Sequence, residues 1–196
     1  MLDKFFKKKP DSEVTGPERM KAIEGSGSAE LAANLLTAPT ALLQLSEEEA
    51  KIVVSYMKPR KIPEGTAFIR EGDAQDTGYM LLVLDGEVTV ENIVVSRTSA
   101  VTVNVLGPGS LIGEMGLVDG APRSATCTAT TNVRCAILSR EALEKLMNDE
   151  PHIGGKLMMA VSLRIAQRLR DTADKLRLYA QLTQAMQQEI DRLMPT

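Results

Sequence analysis

One run limits what this chain can become more than any other: Leu111-Ile112-Gly113-Glu114-Met115-Gly116-Leu117-Val118-Asp119-Gly120-Ala121-Pro122-Arg123-Ser124-Ala125. It is mostly apolar, yet it carries a carboxylate at Glu114 and a guanidinium at Arg123. Apolar runs end up inside, and a charge taken inside needs a partner. Either the two groups satisfy each other as a structural ion pair, or a small charged ligand satisfies both. Gly113 lets the backbone turn and come close to a ligand. Glu114 to Val118 is long enough for one helical turn, whose first N–H groups lack intrahelical partners and can hold an anion. Asp119-Gly120 is a turn dipeptide, and Pro122 stiffens the return. Arg123 offers a planar fork that matches a phosphate, and Ser124 adds a hydroxyl donor. Glu114 is an acceptor suited to a sugar hydroxyl. The implied ligand has one phosphate and a ribose with a free 2′-OH.

This run resembles the phosphate-binding cassette of the cyclic nucleotide-binding domain family. The family pattern reads Phe-Gly-Glu-aliphatic-small-Leu, a short variable stretch, then Arg-Ser/Thr/Ala-Ala. Here it stands as Ile112-Gly113-Glu114-Met115-Gly116-Leu117 and Arg123-Ser124-Ala125, with Ile112 in place of the usual aromatic. The resemblance implies that Glu114 holds the ribose 2′-OH and Arg123 the cyclic phosphate. The ligand-binding set it implies is Gly113, Glu114, Met115, Arg123, Ser124, Ala125 and Thr172, with Val103 and Ile112 as apolar pocket wall.

Around this run the sequence breaks into short strands divided by turns. Pro63-Glu64-Gly65, Glu71-Gly72-Asp73 and Gly107-Pro108-Gly109 read as turns. Strands are predicted over 66–70, 79–84, 87–94, 100–106, 123–130 and 133–138, and Asp85-Gly86 reads as a hairpin turn. Val101, Val103 and Val105 alternate with Thr102 and Asn104, which predicts one buried face. Short strands with frequent turns suggest a barrel or jelly roll. The same glycines follow the family's order. The resemblance, nearest to the bacterial catabolite activator group, implies an α+β fold: an eight-stranded β-roll (a double-stranded β-helix or jelly roll) over about 59–138, flanked by helices.

Residues 1–27 read as a flexible tail, basic and aromatic at Met1–Pro10, where weak membrane or partner contact competes with a frayed terminus. Gly25-Ser26-Gly27-Ser28 reads as a joint. Residues 28–148 form the expected binding domain. A short helix over 28–36 is capped by Ser28, with Leu31, Leu35 and Leu36 on one face. Ser46 and Glu49 make a capping box for a helix to about Met57. Ser139 caps another through Met147.

Residues 149–196 form the third part, a long C-terminal helix opened by Pro151. Ile165, Leu169, Thr172, Leu176, Tyr179, Thr183, Met186, Ile190 and Leu193 are spaced alternately by four and three, a heptad seam. A lone helix of this length needs its stripe buried, which predicts a parallel homodimer through residues 165–193. Thr172 and Thr183 are polar seam positions of the kind that fix register. In the activator group the matching helix carries a Thr-Ser pair that touches the base of cAMP. Here the pair is Thr172-Ala173, so the resemblance implies a purine contact from Thr172 and questions the cross-subunit one.

The chain of 196 residues suits one domain with extensions, and aromatics are only 3% with no Trp, so the core is expected to be aliphatic and Met-rich. A net charge of −3 gives no electrostatic case for nucleic-acid binding. In the activators the long helix leads to a winged helix-turn-helix; here the sequence stops at Thr196, and no direct DNA binding is expected. No apolar run reaches membrane-spanning length and no signal-peptide core is seen, so the expected compartment is cytoplasmic. Cys127 and Cys135 are the only cysteines; they flank Thr131 symmetrically, as hairpin partners would, and read best as buried apolar residues. No metal, cofactor, nucleophile–base pair or P-loop is indicated. The expected function is non-enzymatic sensing of cAMP with signalling to an effector protein. The alternatives are a cGMP or cyclic di-GMP receptor of the same fold, or a ligand-free dimeric adaptor.

Overall fold

The computed structural model describes residues 15–38, 45–92 and 101–193. The chain divides into two compact units, at Ala160 and Val161.

The described residues of the first unit begin with three helices, α1 (Gly16–Ile23), α2 (Gly27–Thr37) and α3 (Glu47–Ser55). The tail expected over 1–27 is therefore helical at 16–23, because Thr15 and Glu18 close a capping box at its start. The expected joint at 25–28 is also structured: the Ser26 hydroxyl, not that of Ser28, caps α2. The basic stretch Met1–Pro10 lies outside the described residues. Ser46 and Glu49 form the expected capping box at α3.

Among the described residues eight strands follow: β1 (Lys58–Ile62), β2 (Ala67–Ile69), β3 (Tyr79–Asp85), β4 (Val88–Asn92), β5 (Val101–Leu106), β6 (Leu111–Ile112), β7 (Thr126–Ala129) and β8 (Val133–Ser139). They form two antiparallel four-stranded sheets, ordered β1-β8-β3-β6 and β2-β7-β4-β5. The core is aliphatic, built from Ile62, Leu81, Val83, Val88, Val90, Ala129 and Val133, with both cysteines. It is not Met-rich: Met57 and Met80 are buried, but Met20, Met115, Met147, Met159 and Met186 are exposed.

Asp85-Gly86 does not close a hairpin. Residues Tyr79–Leu84 are all buried, as in a strand covered on both faces, and β3 already pairs with β8 on one side and β6 on the other. No edge is left for β4, so the chain crosses to the second sheet instead. Gly86 adopts φ +90°, and a Cβ there would lie 2.6 Å from the Asn132 carbonyl oxygen. The corner is bound to the β7–β8 corner: the Thr130 N–H donates to the Glu87 carbonyl and the Glu87 N–H to Thr131 Oγ1, both across 2.9 Å. That second corner also crosses between sheets. Cys127 and Cys135 therefore stand in opposite sheets and not across a hairpin, both buried and not joined in a disulfide.

The β5 expectation fails at Val105, which is 55% exposed. Core-facing Val88 and Val90 pair with Leu106 and Asn104, whereas Val105 pairs with Thr89 on the other face. Val90 and Glu91 pair with Asn104 and Thr102, so Val103 is the extra residue of a β-bulge.

Between β6 and β7 lies a short helix, α4 (Glu114–Asp119), and after β8 come α5 (Arg140–Asp149), capped by Ser139, and α6 (Pro151–Leu193). In the first turns of α6, Ile153, Leu157 and Ala160 are buried, and Lys156 Nζ meets Glu49 Oε1 at 2.7 Å. The second unit is the rest of this helix, and its apolar side chains Leu169, Leu176, Tyr179, Met186, Ile190 and Leu193 are exposed. No described helix is long and apolar enough to cross a membrane.

Candidate functional site

The site is built on α4, which is capped by Gly113 (φ +84°) before it and Gly120 (φ +69°) after it, both in the left-handed region that favours glycine. Glu114, its first residue, is 1% exposed, and Arg123, just beyond it, is 6% exposed. The spacing of 111–125 thus brings a carboxylate and a guanidinium inside beside one helix terminus.

Arg123 is fixed at both ends. Its backbone N–H donates to the Asp73 carbonyl (2.9 Å), and its carbonyl accepts from the Gly72 N–H (2.8 Å). Its Nη1 donates to the Gly113 carbonyl, and its Nη2 to the carbonyls of Asp76 and Tyr79, each across 3.1 Å. The guanidinium lies over the Tyr79 ring, 4.5 Å from its centre. Burial pushes the Tyr79 phenol above its usual range, and the Arg123 charge works against that rise. The three carbonyls take three of the five guanidinium N–H donors, which leaves capacity for an anion. Asp76 takes φ 54°, a left-handed conformation uncommon for a residue with a side chain, and in it presents its carbonyl to Arg123.

Two glycines make room for this arrangement. A Cβ on Gly113 would lie 2.8 Å from Arg123 Nη1, and one on Gly116 would lie 2.9 Å from both Nη1 and the Thr77 carbonyl oxygen. The guanidinium therefore packs directly under the helix backbone.

The other expected residues divide. Ile112 is buried in the core beside the site, and Ala125 packs against the same cluster half-buried. Met115 and Ser124 are exposed, with the Ser124 hydroxyl 3.9 Å from the Met115 sulfur. The side chain of Val103 lies outside the described residues. Thr172 belongs to the second unit, where its hydroxyl donates to the Arg168 carbonyl of its own helix (2.8 Å).

Sequence reading missed Asp76, Thr77, Tyr79 and Arg140. The first three act partly through backbone carbonyls, which any residue type supplies. Thr77 also donates through Oγ1 to the Gly120 carbonyl across 3.2 Å. Arg140, the first residue of α5, donates from Nη2 to the Gly116 carbonyl across 2.9 Å. The turn signal in Asp76-Thr77-Gly78 was a legible hint; Arg140 carried none. Among the described residues no group of three or more His, Cys, Asp or Glu side chains is placed to hold a metal.

A buried carboxylate at a helix start thus stands beside a buried, carbonyl-braced guanidinium on a two-sheet scaffold. The cyclic nucleotide-binding domain profile matches residues 59–150. The chain is 32% identical to a cyclic nucleotide-binding domain of Methylobacillus flagellatus of known structure, with TM-score 0.67, over 77% of this chain and 83% of that one. The chain belongs to the cyclic nucleotide-binding domain family. It is also 32% identical over 127 residues to the cyclic AMP receptor protein of Thermus thermophilus, covering 65% of this chain and 56% of that protein. It is 26% identical over 123 residues to a CRP-like cAMP-activated global transcriptional regulator of Mycobacterium tuberculosis, covering 62% and 53%. The chain thus spans about half the length of these curated relatives.

Proposed function

We propose that this chain is a non-enzymatic cAMP sensor that works as a homodimer and signals to an effector protein. The observation that carries the reading is Arg123: a buried guanidinium, braced by three carbonyls against the start of α4, with N–H donors in reserve. A charge held this way costs free energy unless an anion repays it when bound. Glu114 supplies the acceptor for a ribose 2′-OH. Relatives named for cAMP favour that nucleotide as the ligand. The homodimer runs through residues 165–193, where the exposed apolar seam of α6 needs a partner. A purine contact from Thr172 is carried by the resemblance alone.

The test is calorimetry on ligand-stripped protein with cAMP, cGMP and cyclic di-GMP. Tight cAMP binding with one site per chain is expected. Arg123→Ala is expected to weaken it by about 2–5 kcal/mol, the usual loss when one partner of a buried charged contact is removed. Circular dichroism checks that the variant is folded. Preference for cyclic di-GMP would reassign the ligand. No binding by the wild type to any of the three would leave a dimeric adaptor and make Glu114 and Arg123 structural.

A further inference from the structure

The apolar stripe of α6 changes width along its length. With Leu169, Leu176, Thr183 and Ile190 at the a positions of the seam, and Ile165, Thr172, Tyr179, Met186 and Leu193 at d, the flanking g positions are Arg168, Lys175, Leu182 and Glu189. Up to Lys175 the flank is charged, and the apolar face is a two-residue seam. Beyond it, Leu182 at g and Leu178 at c extend the face sideways, and these side chains are 50% and 54% exposed. A strict a/d stripe suits two helices; an a/d stripe with g added is the wider face of a helix bundle.

The flank is complementary to itself. Lys175 and Glu189 stand on the same side of the helix, one heptad before and one after Leu182, about 10 Å along the axis in each direction. A second copy of this flank, turned antiparallel about a two-fold axis at Leu182, places leucine on leucine. It sets Lys175 of each copy against Glu189 of the other and Leu178 against Met186. A parallel arrangement would set like charges at the same level instead. Such a patch, which matches itself under a two-fold axis, forms a closed interface with a second copy.

We propose that two parallel homodimers of this chain associate antiparallel through residues 175–189 into a four-helix assembly. The inference rests on the homodimer proposed above. The test is the mass of the full chain by sedimentation equilibrium across a wide concentration range, with cAMP titration and circular dichroism as checks that each variant is folded. The wild type is expected to reach four chains. Leu182→Glu, which puts like charges on the axis, is expected to stop at two. Lys175→Glu gives two like-charged contacts per interface and is expected to weaken association of the dimers about tenfold. The double variant Lys175→Glu with Glu189→Lys exchanges the charges and is expected to restore it. A two-chain wild type at every concentration would overturn this inference and leave the homodimer standing. A one-chain wild type would overturn both, and a four-chain mass for Leu182→Glu would show that this flank is not the interface.

Discussion

The guanidinium of Arg140 donates to the carbonyl of Gly116 across 2.9 Å, so the first residue of α5 holds the middle of α4. Arg123 holds the same short helix at Gly113, one turn earlier. The Arg140 N–H in turn donates to the Gly78 carbonyl (2.7 Å), in the loop that also braces Arg123. The helix that carries Glu114 is thus tied to α5 by the side chain of Arg140.

Arg140→Ala is therefore expected to weaken cyclic nucleotide binding by about 1–2 kcal/mol, the order of a hydrogen bond from a charged donor, with little loss of thermal stability. Arg140→Lys keeps a donor and should recover part of the affinity. Calorimetry beside a thermal melt separates the two effects. Equal affinity in wild type and Arg140→Ala would remove Arg140 from any positioning role.

Gly116→Ala tests the packing under α4. The added methyl would stand 2.9 Å from Arg123 Nη1 and from the Thr77 carbonyl oxygen, and the latter is backbone that cannot swing aside. The expected cost is about 1–3 kcal/mol in unfolding free energy from overpacking, together with weaker nucleotide binding as Arg123 is displaced. Urea unfolding and a cAMP titration of the same sample measure both. A variant as stable as wild type, with unchanged affinity, would show that the guanidinium does not depend on this gap.

Much of this arrangement was legible in the sequence, and the parts that were not have a common cause. The run 111–125 revealed the short helix and the burial of Glu114 and Arg123, because apolar neighbours and glycines are local signals. The heptad steps revealed α6, and the capping box revealed α3. The failures lie where tertiary pairing overrides a local signal. Asp85-Gly86 has hairpin chemistry, but β3 has both edges taken by β6 and β8. Val105 alternates correctly, but the register with Thr89 turns its face outward. The grip on Arg123 by Gly113, Asp76 and Tyr79 uses carbonyls, and no side-chain pattern announces those.

The Glu49–Lys156 pair gives an acid limit. The Lys156 ammonium and, after it, the Ser46 N–H hold the Glu49 carboxyl below its usual range. A carboxyl depressed in the folded state stabilises above its unfolded pKa, and that contribution is lost as pH falls through the folded value. The loss belongs below about pH 4.5, the ordinary value for this group. Urea midpoints measured from pH 7 down to pH 3 should fall less steeply for Glu49→Gln than for the wild type. Parallel curves would mean that this contact contributes nothing to folding.

The Tyr56–Asp149 hydrogen bond sets an alkaline limit. The phenol donates to Asp149 Oδ2 across 2.8 Å, and the Arg19 guanidinium lies 4.6 Å from the ring centre. Burial first, then the bond to Asp149, pushes the Tyr56 phenol from 10.0 up to about 12. The folded state therefore holds this proton more tightly than the unfolded chain. The resulting stability is complete below pH 10 and is lost as pH rises towards 12. The same bond, followed by Lys145, keeps Asp149 below its usual range, so its share is lost only in acid. Tyr56→Phe should cost about 1–2 kcal/mol at neutral pH, where one buried end of a charged hydrogen bond is lost. It should also remove the wild type's extra fall in stability between pH 10 and 12. Denaturant unfolding across that window decides it: if both proteins lose stability in parallel, the alkaline limit lies elsewhere and Tyr56 does not govern it.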